Sequence, residues 1–111
     1  MDREALEQAL IARHGAENQK KFAAASVGIA GLGGLGSHIA VHLARLGVGR
    51  LVLADFDRVD VTNLNRQHYF IPHLGRYKTE ALAEQLRGIN PWLDYDCLLY
   101  TSDAADEARS V

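Results

Sequence analysis

The stretch VGIAGLGGLGSHIAVHLARLG, Val27 to Gly47, constrains this chain more than any other. It opens in SVGIA, Ser26 to Ala30, a short apolar run bounded by glycine that reads as a buried strand. From Leu35 the period changes. Leu35, Ile39, Leu43 and Leu46 recur at helical spacing, and Gly47 is placed to end a helix. Between strand and helix stand Gly31, Gly33, Gly34 and Gly36, a G-x-G-G-x-G loop. Gly31 permits the tight turn, Gly33 lets a phosphate approach the backbone, and Gly36 lets the helix pack closely on the strand. Unpaired N–H groups at the helix start then attract an anion. The loop predicts a nucleotide without saying which, since a nicotinamide dinucleotide and ATP suit it equally.

The rest of the chain repeats the alternation. Residues 3–13 carry Leu6, Ala9 and Leu10 on one helical stripe that ends at Gly15, and AENQKKFAAA adds a second helical piece with Phe22. RLVLAD, Arg50 to Asp55, is a second buried strand, and residues 56–75 are polar and irregular. KTEALAEQLRGIN, Lys78 to Asn90, is a helix with Ala81, Leu82, Leu86 and Ile89 inward, and WLDYD begins another strand beyond Pro91. Strands alternating with helices predict an α/β fold, a Rossmann-like parallel sheet with helical crossovers. Only about three strands fit, fewer than an open doubly wound sheet usually has. Residues 26–96 therefore read as the N-terminal half of such a domain, truncated after about the third strand, and residues 1–25 as a helical segment before it.

Composition narrows the class further. The 111 residues are 48% apolar and 23% charged with a net charge of -2, which gives no reason to invoke nucleic acid or a membrane surface. No apolar run is long enough to span a bilayer, and MDREALEQAL has no signal-peptide character, so a cytoplasmic protein is expected. The single cysteine, Cys97, excludes an internal disulfide framework and a multi-cysteine zinc site within these residues. The end of the chain changes character. Residues 97–107, CLLYTSDAADE, resemble the translation of a transposase adapter used in sequencing libraries, so the native sequence is expected to stop near Asp96 with residues 97–111 as read-through. The other reading is a genuine strand, LDYDCLLY, followed by an acidic helix start.

DFDRVDVTNLNRQHYF, Asp55 to Phe70, separates the nucleotide readings. Asp55 closes the second strand, where an acid commonly accepts hydrogen bonds from a ribose hydroxyl. A dehydrogenase has no particular need for the dense polar run that follows. An enzyme that cleaves a triphosphate does, because charge developing on pyrophosphate requires fixed cations. Arg66 offers a planar, permanently charged fork, Lys78 a flexible ammonium, and Asn63 and Asn65 neutral hydrogen-bonding groups for sugar or phosphate. Singly, each suits a solvated loop with an N-cap at Thr62 or Asn63. As a set after the glycine loop they point to ATP.

GLGGLGS, DFDRVDVTNLNRQ and GRYKTEAL together resemble the ThiF/MoeB/HesA superfamily, adenylating enzymes akin to ubiquitin activators, from about Leu6 to Asp96. NLNRQHYF and ALIARHG are most similar to the short ThiF-type enzymes of thiamine biosynthesis. The resemblance implies ATP-dependent adenylation of the C-terminal glycine carboxylate of a ubiquitin-like, ThiS-like sulfur carrier protein, with pyrophosphate as leaving group. It implies Gly34 against the nucleotide, Asp55 on the ribose, Asn63 and Arg66 on ribose and phosphates, and Lys78 on the phosphates. Arg13 resembles an arginine that reaches the ATP of the other protomer in a homodimer. The family's Mg2+-binding aspartate is expected beyond Asp96, so these residues alone are expected to have little or no activity. The MoeB-type enzyme of molybdopterin synthesis and the tRNA threonylcarbamoyladenosine dehydratase remain open within the superfamily. Outside it stand an NAD-dependent oxidoreductase and a non-catalytic nucleotide-binding scaffold.

Other residues invite chemistry more weakly. His38 and His42 lie one turn apart but lack a third ligand, and they flank the Ile39/Leu43 stripe, so helix-surface packing is expected and no metal site. His14, His68 and His73 read as loop residues, Asp57 and Asp60 as solvated loop acids, and Trp92 as a packing anchor. Lys20 and Lys21 are too few for a nucleic-acid footprint.

Overall fold

The computed structural model describes residues 2–64, 67 and 69–98, with only the backbone of Asn63. Two helices come first, α1 (Arg3–His14) and α2 (Ala16–Ala24), joined at Gly15, whose φ of 88° lies where glycine alone is at ease. Asp2 caps α1 by accepting from the Ala5 N–H at 2.8 Å. Then follow β1 (Ser26–Ala30), α3 (Gly34–Leu46), β2 (Arg50–Ala54), α4 (Lys78–Ile89) and β3 (Asp94–Leu98). The strands form one parallel sheet in the order β1-β2-β3, with Ile29 beside Leu53 and Leu53 beside Cys97.

Strand alternation sorts the sheet into two faces. Val27, Ile29, Leu51, Leu53 and Tyr95 point toward α3 and α4, and join Ala40, Ala44, Leu82 and Leu86 in the core. Leu51, Leu53, Leu82 and Leu86 are fully buried, each contributing about 1.5–3 kcal/mol. Ser26, Gly28 and Ala30 on the other face are exposed, and there Arg50 pairs with Asp96. The N-terminal helices meet the sheet at the start of its strands. Leu10 of α1 is the nearest side chain to Gly47, and the end of α2 abuts Gly49, whose N–H donates to the Phe22 carbonyl at 3.0 Å.

The expected alternation, strands and helices are all present, with three corrections. The buried face of α3 is Ser37, Ala40 and Ala44, while Leu35 is 76% and Ile39 41% exposed. Small residues let α3 lie close to the sheet; of the expected stripe Leu43 packs against the core cluster, while Leu35 and Ile39 lie on the outer flank. His14 ends α1 and pairs with Gln19 Oε1 at 2.7 Å, and His73 is buried in a 3-10 turn (Ile71–His73) accepting from the Phe70 N–H at 2.9 Å. Neither is a simple loop residue; His68 lies outside the described residues. The strand β3 runs two residues past Asp96, to Leu98, and residues 99–111 lie outside the described residues.

A Cβ at Gly49 would collide with the Ala23 carbonyl, whereas one at Gly28 would meet nothing within 4 Å. Gly49→Ala should therefore lower the unfolding free energy in a urea titration by roughly 1–3 kcal/mol. Gly28→Ala should leave it unchanged or slightly raised. Equal losses in both variants would contradict the packing of α2 on the sheet.

Candidate functional site: the glycine loop and its clasp

The loop between β1 and α3 lies at the C-terminal edge of the sheet, where parallel sheets place their ligands. Gly31 turns the chain at φ 89° while its N–H donates to the Ala54 carbonyl at 2.8 Å. A Cβ at Gly36 would strike the Gly31 carbonyl oxygen, so the first turn of α3 can lie against the turn only as glycine. A Cβ at Gly33 would meet only Gln67 Nε2, at 3.7 Å, leaving the approach to the backbone open. Gly33 is the N-cap of α3 and supplies no side-chain cap, and the first turn carries no acidic side chain. The N–H groups of that turn, which no helix satisfies internally, are thus presented to an anion. An anionic nucleotide fits the residues present.

Asp55 ties the loop to the next strand. Its Oδ2 accepts from the Leu32 N–H at 2.7 Å and its Oδ1 from the Asp57 N–H at 2.8 Å. Each oxygen keeps a further lone pair, so a ribose hydroxyl can still be bound. Asp57 continues the path. Its carbonyl accepts from the Lys78 N–H at 3.0 Å, and its carboxylate stands 3.9 Å from Lys78 Nζ. Lys78 is 6% exposed, so the expected flexible ammonium is a buried one held beside Asp57.

The polar segment after Asp55 has its own clasp. Arg58 and Tyr77 form an antiparallel bridge, with the guanidinium 4.0 Å from the ring centre. Val59 N–H donates to the Arg76 carbonyl at 2.8 Å and Gly75 N–H to the Val59 carbonyl at 3.0 Å. These bonds close the loop at its base and set the start of α4. Asp60 accepts from the Thr62 N–H at 3.0 Å, which holds its carboxyl below the usual range; it is the acid that caps the 3-10 turn Val61–Asn63.

Gly31, Gly33, Gly34, Gly36, Asp55 and Lys78 are therefore brought together. The Asn63 side chain, Asn65 and Arg66 lie outside the described residues. Arg13 is exposed in the last turn of α1, a helix seated at the opposite end of the sheet, and is not brought to the loop within this chain. His38 and His42 are exposed on α3, and among the described residues no three His, Cys, Asp or Glu side chains gather to hold a metal. Two residues were not singled out in the sequence. Gln67, beside Gly33, has a buried Oε1 without a partner among the described residues, and Tyr69 donates its hydroxyl to the Leu32 carbonyl at 2.8 Å. The available signal for Tyr69 was an aromatic residue directly after the polar stretch NRQH.

Asp55→Asn exchanges an acceptor for a donor opposite one of two backbone N–H groups. It should cost about 1.5–3 kcal/mol of stability, measured by urea unfolding. An unaltered midpoint and slope would show that the carboxylate does not hold the turn.

Comparison with known proteins places this geometry. Residues 6–110 match the ThiF family. Ubiquitin-like modifier-activating enzyme 5 of Xenopus laevis is 40% identical over 91 residues, spanning 81% of this chain and 23% of that protein. The tRNA threonylcarbamoyladenosine dehydratase of Escherichia coli is 44% identical over 79 residues, 70% of this chain and 30% of that protein. The E. coli dehydratase solved with ATP superposes with a TM-score of 0.82 at 34% identity, covering 96% of this chain and 45% of that one. E. coli MccB solved with ATP gives 0.77 at 32% identity, covering 84% and 28%. The chain thus spans less than half the length of these relatives. With the matched residues running from α1 through the loop, Asp55 and Lys78, the chain belongs to the ThiF family.

Proposed function

We propose that the protein binds ATP at the glycine loop and uses it to adenylate a carboxylate, that of the C-terminal glycine of a ubiquitin-like sulfur carrier of the ThiS type in thiamine biosynthesis. The observation that carries this reading is the continuous path from the loop through Asp55 and Asp57 to the buried Lys78 ammonium. A dinucleotide site needs the loop and the ribose acid. It has no use for a buried cation on the next helix.

The backbone N–H groups of Gly33 and Gly34 face the phosphates, with Gly31 and Gly36 shaping the turn, and Asp55 receives a ribose hydroxyl. Asn63 and Asn65 address sugar and phosphate. Lys78 turns from Asp57 to the phosphates and, with Arg66, offsets the charge that builds as the bond to pyrophosphate breaks. The incoming carboxylate is already a nucleophile. Its oxygen forms the new bond to the α-phosphorus, and pyrophosphate leaves with the bonding pair. The protein has chiefly to align two anions that repel one another. Mg2+ accompanying ATP would add neutralising charge. Arg13, on a helix seated at the other end of the sheet, serves the site of a second copy in a homodimer.

The similarity to the E. coli dehydratase supports a second reading, in which the same chemistry activates the threonylcarbamoyl carboxylate of a tRNA. ATP–pyrophosphate exchange by the full-length protein separates the two. Exchange should depend on a carrier ending in glycine, and Arg66→Ala should slow it by about 100-fold. Exchange supported by modified tRNA instead of carrier would favour the dehydratase. Unchanged exchange in Arg66→Ala would reject the assigned site, and binding of NADH in place of ATP would restore the oxidoreductase.

A further inference from the structure

Tyr69 sits in an exposed polar loop, next to Phe70 at 60% and Ile71 at 74% exposure, yet it is itself 3% exposed. Its ring enters the core cluster, and its hydroxyl donates to the Leu32 carbonyl at 2.8 Å. Burial, with the Asp55 carboxylate nearby, pushes the phenol above its usual range, so it remains a donor at any physiological pH. Leu32 is the fully buried residue between the first two glycines of the loop. Its N–H is taken by Asp55 and its carbonyl by Tyr69, so the peptide units on both sides of it are fixed.

The carbonyl of Leu32 shares a planar trans peptide with the N–H of Gly33, and in such a unit the two point in opposite directions. Holding the carbonyl inward therefore holds the Gly33 N–H outward. Without that hold, rotation of the unit about its flanking bonds would turn a carbonyl oxygen toward the anion. Such rotation is easy at this place, because Gly33 has no side chain to oppose it.

We propose that Tyr69 is a positioning residue that aims the Gly33 N–H at the nucleotide phosphates through its hydrogen bond to Leu32. The inference rests on the ATP site proposed above. It assigns to the polar loop a task besides carrying Asn63, Asn65 and Arg66: the loop returns to brace the turn from below. By reciprocity, a bond that favours phosphate binding is itself favoured by bound phosphate.

Titration of the full-length protein with ATP and with adenosine tests this. Tyr69→Phe, which keeps the ring, should weaken ATP by about five- to tenfold, the equivalent of one neutral hydrogen bond, and leave adenosine within about twofold. Equal weakening of both ligands, or of neither, would overturn the inference. A wild-type protein that binds no ATP would overturn the nucleotide site itself and the inference with it. A second measurement needs no variant. In wild-type protein the Tyr69 hydroxyl proton should exchange with solvent several-fold more slowly when ATP is bound, and at its free rate with adenosine. Exchange unaffected by ATP would count against the inference even if Tyr69→Phe failed to fold.

Discussion

One carboxylate joins the two halves of the site. Asp55 follows the last residue of β2, and its side chain reaches back to the Leu32 N–H in the loop after β1, while its other oxygen takes the Asp57 N–H in the segment ahead. A part-buried anion accepting backbone N–H groups makes hydrogen bonds stronger than neutral ones. It also dictates geometry. The peptide between Gly31 and Leu32 must turn its N–H to Asp55, which leaves the Gly31 carbonyl directed at α3, at the spot where only a glycine 36 can stand. The same carboxylate starts the chain toward Asp57 and so toward Lys78. Remove it and the turn, the helix start and the cation lose their common reference.

Much of this was legible from residue order. Glycines at fixed spacing between an apolar strand and a helical pattern leave few geometries open, and the parallel order β1-β2-β3 follows from alternation with crossovers. Asp55 and Lys78, each named from the sequence as a single residue, lie on one connected path. What escaped was whatever depends on tertiary contact. The α3 stripe named Leu35 and Ile39, yet the sheet selects Ser37, Ala40 and Ala44 because a helix that begins at a tight turn has room only for small side chains beneath it. His73 looked like a loop residue and is buried, since the loop closes on itself through Val59, Gly75 and Arg76. Asp57 read as a solvated acid and is exposed, but only the fold reveals that Lys78 lies across from it. Tyr69 pairs with a backbone oxygen 37 positions away, which no local pattern announces.

A glycine loop holds phosphate whatever chemistry follows, so specificity must come from what surrounds it. Among the described residues the surroundings are Asp55, Asp57 and Lys78, supplied by one loop and the start of one helix. ATP stands in the solved complexes of both the E. coli dehydratase and MccB.

In the proposed reading the loop, Asp55 and the cation pair Arg66 and Lys78 form a single polyphosphate grip. A crystal structure of the full-length protein with bound ATP measures this directly. The phosphates should lie against the Gly33 and Gly34 N–H groups and the ribose against Asp55. Lys78 should have left Asp57, and both cations should lie within hydrogen-bonding distance of phosphate oxygens. Finding Arg66 and Lys78 pointing into solvent, remote from every phosphorus atom, would contradict it.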